Sequence, residues 1–301
     1  MVTRASFFWA LVLAACNTGF QNQSIVVDLR VLAVRSDPAE VVVDVDPADL
    51  ANVQLPDVTF TALVADPQGP VTLAYTWTAC PVTDTLRCDD PSAPNLRFAD
   101  ATSDDLDGKP PTGKLTVTVD LLRAALAADT FLGLGGVPVQ VELVIRPAGA
   151  PDDEAVFASK KIVYAPRIPP GRLPNQNPTI AELTADSVPF DAGSTLSVAV
   201  GQKVTFEPVE PDGARETYAV PTLDGGERVF TESLRYSWLA TGGSFSDEHT
   251  GGPVDLFGNH PLLRTKWTAA GLTGTVVDLW VVQRDERGGT YWTKRSIMVH
   301  N

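Results

Sequence analysis

The chain has 301 residues, 44% of them hydrophobic, and a formal net charge of −14 from 37 acidic and 23 basic side chains. That acidity argues against nucleic acid and against electrostatic adhesion to anionic lipid, while the apolar share excludes a disordered chain. With 24 prolines and 23 glycines among many Val and Thr, the composition points to short strands joined by turns, in enough chain for two cores.

In chain order the first element is an export signal. Arg4 precedes an apolar run through Phe7, Phe8, Trp9 and Leu13, which closes on Leu13-Ala14-Ala15-Cys16. The run is shorter than the roughly 20 residues a membrane-spanning helix needs, and no later run approaches that length. Leu13 to Cys16 resembles the lipobox of bacterial lipoproteins. The resemblance implies that residues 1–15 are a lipoprotein signal peptide, that Cys16 carries diacylglycerol, and that residues 16–24 form a lipidated tether. Acyl chains contribute about 0.8 kcal/mol per buried CH₂, so several on one cysteine anchor a protein durably. Asn17, where inner-membrane retention would call for Asp, implies the outer membrane, facing the periplasm or the cell surface. The competing reading is a plain signal peptide in which Cys16 has no role.

The first half, residues 25–164, reads as strands. Val26 to Val34 and Val41-Val42-Val43 are β-branched; Val58 to Ala65 alternates; Leu73-Ala74-Tyr75-Thr76-Trp77 follows. Lys114 to Val119 has period 2, Leu121 to Ala128 has the look of a short helix, and Val137 to Arg146 with Ala155 to Tyr164 forms a late hairpin. Cys80 and Cys88 are close in sequence, and in an exported chain such a pair reads as a disulfide. No His or third Cys lies near them to complete a zinc pattern.

Residues 165–178 carry Pro166, Pro169, Pro170, Pro174 and Pro178, which predicts an extended, semi-rigid connector. The second half, residues 179–301, then repeats the order of signals. Thr179 to Ala185 is a strand, Lys203-Val204-Thr205-Phe206 another, and Arg235-Tyr236-Ser237-Trp238 matches Ala74 to Trp77. The late hairpin recurs as Thr275 to Arg284 and Thr290 to Val299. The Tyr236-Ser237-Trp238 strand and the Val281 to Gly289 turn resemble those of PKD-type and related Ig-like domains, although Leu239-Ala240-Thr241-Gly242-Gly243 departs from the PKD signature. The expected fold is therefore all-β: two Ig-like, PKD-related antiparallel β-sandwiches in tandem after a lipoprotein signal peptide. The combination is similar to surface lipoproteins of myxobacteria, which implies partners among envelope or surface proteins.

Catalytic patterns are not found. His249, His260 and His300 fit no metal motif, and neither a Gly-x-Ser-x-Gly elbow nor a phosphate loop is present. The expectation is a non-enzymatic envelope protein, adhesive or structural, whose sole bound group is the lipid on Cys16. Asp44, Asp46 and Asp49, and above all Asp105 and Asp107, are the best residues for calcium, but they lack the later bidentate Glu of a calcium loop. Trp267, Trp280 and Trp292 lie within 26 residues. They read either as core packing with Trp238 or as an exposed platform that stacks on glycan rings. Trp280 stands in a run that is apolar on both faces, so its direction is open.

Overall fold

The computed structural model describes residues 22–44, 55–69, 71–131, 133–169, 171–222, 224–270 and 273–301. Strands of the first half are β1 (Arg30–Asp37), β2 (Val41–Val43), β3 (Val58–Ala65), β4 (Leu73–Pro81), β5 (Leu96–Ser103), β6 (Thr112–Leu115), β7 (Val137–Pro147) and β8 (Val156–Pro166). They form two sheets, ordered β1-β3-β6 and β2-β8-β7-β4-β5. Alternation drives the packing: Leu73, Tyr75, Trp77 and Ala79 of β4 and Val139, Val141, Leu143 and Ile145 of β7 all point into one core. Phe60 meets Trp77 there, ring centroids 5.9 Å apart. The disulfide joins Cys80 at the end of β4 to Cys88.

The second half supplies β9 (Glu182–Ala185), β10 (Val188–Pro189), β11 (Thr195–Ala199), β12 (Lys203–Val209), β13 (Thr217–Pro221), β14 (Glu227–Thr231), β15 (Leu234–Ala240), β16 (Ser244–Phe245), β17 (His249–Gly251), β18 (Thr265–Thr268), β19 (Val276–Asp285) and β20 (Thr290–His300). Its sheets are β10-β9-β12-β18-β16 and β11-β20-β19-β15-β17, with β13-β14 as a separate hairpin. Replace β1 to β8 in turn by β9, β11, β12, β15, β17, β18, β19 and β20, and the first pair of sheet orders becomes the core of the second. The aromatic centre repeats as well, with Phe206 of β12 stacked on Trp238 of β15 at 6.4 Å. The chain is all-β, built on one sandwich plan used twice.

Several expectations shift. The sheets are not wholly antiparallel, because β2 runs parallel to β8 and β11 parallel to β20. In each half the chain leaves the opening strand, β1 or β9, and β2 or β11 then joins the edge of the other sheet. The strand expected from Val26 begins only at Arg30; Val26 instead donates its N–H to the Ala240 carbonyl at 2.8 Å, beside the second sandwich. The strand expected to reach Val119 ends at Leu115. Thr118 then caps helix α1 (Val119–Ala128), its hydroxyl accepting from Leu121 N–H at 3.2 Å, and Leu121 and Ala125 are its buried face. The departure at Gly242-Gly243 has a packing reason. Gly243 has φ +85°, and a Cβ there would stand 2.4 Å from Trp267 Nε1, which donates to the Gly242 carbonyl.

The sandwiches are not beads on a connector. Trp280 and Val282 of β19 point out of their own sandwich and are buried against Val26, Leu32, Ala33, Leu63 and Ala65, with Leu239 and Trp292 beside them. The outer face of one sheet thus lies on the outer face of another. Burying an indole of roughly 200 Å² at about 25 cal/mol/Å² contributes on the order of 5 kcal/mol as an upper estimate.

Two stability measurements follow from these contacts. Replacing Cys80 and Cys88 by Ser lowers urea stability by about 2.5 kcal/mol through the longer reach of the unfolded chain; an unchanged midpoint would show the bridge to be without effect. Trp280→Ala removes about 3 kcal/mol and separates the unfolding of the two sandwiches into two transitions. A single transition at the wild-type midpoint would mean that the contact between them carries no weight.

Candidate functional site

Cys16 lies outside the described residues, so the site that geometry can build is the junction of the two sandwiches. Three pieces of chain meet there: the β1–β2 turn with Glu40, the connector from Arg172 to Asn177, and the β19–β20 turn, Asp285 to Gly289. Glu40 is 6% exposed and accepts from both Arg172 (2.5 Å) and Arg287 (2.8 Å), as well as from Asn175 N–H at 2.9 Å. Arg287 also reaches Glu232 at 3.2 Å and Glu216 at 3.3 Å. Asp285 accepts from the backbone N–H groups of Arg287 (2.8 Å) and Gly289 (2.7 Å) and from the Asn175 amide. A Cβ at Gly289 would stand 2.0 Å from the Asp285 carboxylate and 2.8 Å from the Gln176 backbone carbonyl, so a side chain there would disturb the joint. On the first sandwich, Lys160 of β8 donates to the Gly288 carbonyl and to Thr290 Oγ1. Asn177 ties β1 to β20, donating to Ser36 O at 2.8 Å and accepting from Thr290 N–H at 2.9 Å.

Burial tunes these groups. It pushes the Lys160 ammonium down to about 8, a shift that the nearby Asp285 opposes. Glu232 is pushed up to about 7, first by burial and then by the negative charge of Asp285. Tyr218 of β13 stacks under Arg287 at 4.6 Å and donates to Glu286 at 2.7 Å; burial and that carboxylate push its phenol up to about 12. A cleft of about 760 Å³ opens beside this network, walled by Arg172, Leu173, Tyr218, Val220, Val229 and Arg287.

The tryptophan trio does not form a platform. Trp267 is fully buried in the second sandwich, where it packs on Phe206, and Trp280 is 3% exposed between the sandwiches. Trp292 is half-buried at the edge of that contact with the Arg35 guanidinium 5.1 Å over its ring. The core reading therefore holds for Trp267 and needs amending for Trp280, which is buried by the neighbour. Asp105 and Asp107 are also diverted: Asp105 accepts from Gly108 N–H at 2.9 Å, and Asp107 pairs with Lys294 of β20 at 2.9 Å. Among the described residues no group of three or more His, Cys, Asp or Glu stands ready for a metal ion. Asp44 pairs with Arg167; Asp46 and Asp49 lie outside the described residues.

A second feature had no sequence signal. Between β17 and β18 the chain forms a tip that leaves Leu256 and Phe257 at 102% and 89% exposure. Asp255 orders it, accepting from the N–H groups of Phe257 (2.8 Å) and Asn259 (2.9 Å) and from the Asn259 amide, which holds its carboxyl below the usual range. The β13–β14 hairpin likewise exposes Val229 and Phe230.

No protein-family profile and no curated protein matches this sequence. Among solved structures, the chain is similar to a nucleoside hydrolase-related protein of Saccharophagus degradans (14% identity, TM-score 0.24), over 40% of this chain and 26% of that one. It is similar to elastase-activated alpha-2-macroglobulin of Escherichia coli (11% identity, TM-score 0.25), over 94% of this chain and 22% of that one. Murine CEACAM1b matches at 9% identity and TM-score 0.22, over 90% of this chain and 100% of that one. The chain thus spans about a quarter of the length of the first two, and TM-scores this low carry no argument about fold or activity.

The raised Glu232 makes the junction sensitive to pH. The folded chain holds this proton more tightly than the unfolded chain, where Glu titrates near 4.5, so the contribution is complete below that value and is lost as pH rises through about 7. Urea titrations from acid to neutral pH are expected to show stability falling across this window. Glu232→Gln flattens that part of the curve, and a curve of unaltered slope would exclude Glu232 as its source.

Proposed function

We propose that this chain is a non-enzymatic, lipid-anchored protein of the bacterial outer membrane, adhesive or structural in role, working through contacts with envelope or surface proteins. The observation that carries the reading is the Leu13-Ala14-Ala15-Cys16 stretch behind Arg4 and a short apolar run. The Cys80–Cys88 disulfide supports it, since such bonds persist in oxidising compartments. So does the way polar and apolar contacts hold the two sandwiches together as one body. A rigid body on a lipid tether presents its loops in a fixed relation, and binding residues often sit on loops that a rigid scaffold positions. The Leu256–Phe257 tip fits that role, with two apolar side chains held out by an ordered turn.

Mass spectrometry of the mature protein from the native envelope tests the anchor. The expected N-terminal residue is Cys16 bearing diacylglycerol, and Cys16→Ser leaves the protein unprocessed and without lipid. An unmodified chain cleaved at another position would overturn the reading.

A further inference from the structure

Where residues 22–26 pass the second sandwich, a separate cleft of about 380 Å³ is lined by Arg30, Leu32, Ser237, Glu248, His249 and Arg284. Arg284 of β19 is half-buried. It donates to the Leu32 carbonyl at 2.9 Å and reaches Ser237 Oγ at 3.4 Å, and that hydroxyl lies 3.2 Å from His249 Nδ1. Arg30 of β1 donates to the Gln23 carbonyl at 2.7 Å. Each guanidinium offers five N–H donors, so most remain unspent. Among the described residues neither finds a carboxylate at ion-pair distance, in contrast to Arg172, Arg215 and Arg287. For Arg284, which is the more buried of the two, that is a costly arrangement. Burial disfavours the charge on Arg284, and Glu248, the acid on this cleft, does not pair with it.

We propose that this cleft is a binding site for a phosphate group that retains one proton, either inorganic phosphate or the terminal phosphomonoester of a small molecule. Guanidinium forks match phosphate oxygens in geometry and charge, so Arg284 and Arg30 take the ionised oxygens. Glu248, on the same cleft, accepts from the P–OH and repels an oxyanion that has no proton to offer. The space exceeds the need of a bare phosphate, which leaves room for a small organic group. The site lies apart from the Arg287 junction and does not depend on the lipid anchor.

Thermal unfolding of the full mature chain tests it, because a ligand that binds the folded state raises Tm by mass action. Inorganic phosphate, glycerol 3-phosphate and sulfate are each compared with chloride at equal ionic strength. The expected result is a saturable rise with one or both phosphates, the tighter of them identifying the source, and an apparent Kd for sulfate weaker by about tenfold or more. Arg284→Met and Arg30→Met each weaken phosphate by about tenfold or more, while Arg264→Met, exposed outside the cleft, leaves it unchanged. If Arg284→Met does not fold, Arg30→Met carries the test, since it gives up a single surface contact. No rise beyond chloride, an equal rise with sulfate, or undiminished binding by Arg30→Met would overturn the site. The mass of Cys16 is read independently, so the anchor and the cleft stand or fall separately.

Discussion

The arrangement of this protein rests on an aromatic side chain that leaves its own sandwich and is buried by the other: Trp280, among Val26, Leu32, Ala33, Leu63 and Ala65. Strand β19 alternates as any strand must, so Val277, Leu279 and Val281 fill the second core while Trp280 and Val282 face outward. An outward face so apolar has to be covered, and β1 and β3 of the first sandwich cover it. Once they do, the ends of the strands are brought close enough for Glu40, Arg172, Arg287 and Asp285 to interlock. The polar network is thus positioned by the apolar contact, and its pairs across the joint are satisfied in this placement of the two sandwiches.

That placement changes what the connector does. A proline-rich segment between two domains would ordinarily keep them apart. Here Asn175 is 2% exposed, and Asn177 bridges β1 and β20. The segment serves as mortar in a joint. The same joint creates both clefts, one beside Arg287 and Tyr218 and one beside Arg284 and Arg30, since each is lined by residues of both halves. A single sandwich would have neither.

The repeat of one plan explains where the two halves differ. The counterparts of β1 to β8 keep their order and their Phe–Trp centre, Phe60 with Trp77 and Phe206 with Trp238. The variation lies between strands: helix α1 before β7 in the first half, the β13–β14 hairpin before β15 in the second. Insertions at such points cost little closure entropy and leave the cores intact. Tyr218 and the ordered Leu256–Phe257 tip sit in the parts that the plan leaves free.

Much of this was legible in the chain itself. Period-2 alternation marked β3 and β6, because one buried face per strand writes itself directly into sequence, while apolar and β-branched runs marked β4, β7, β8, β19 and β20. The Tyr-x-Trp strands disclosed the repeat, and the spacing of Cys80 and Cys88 their bond. Strand β5 and the β13–β14 hairpin escaped, since exposed strands lack a clean apolar stripe. The direction of Trp280 was undecidable for a definite reason: a strand buried on both faces has no polar phase to read. Glu40, Arg172 and Arg287 gave no signal at all. Glu40 lies 132 residues from Arg172 and 247 from Arg287, and an ion pair leaves no local pattern. Local chemistry therefore decided the strands and the disulfide. Only the tertiary structure decided that two sandwiches are one body, because that depends on which apolar face meets which.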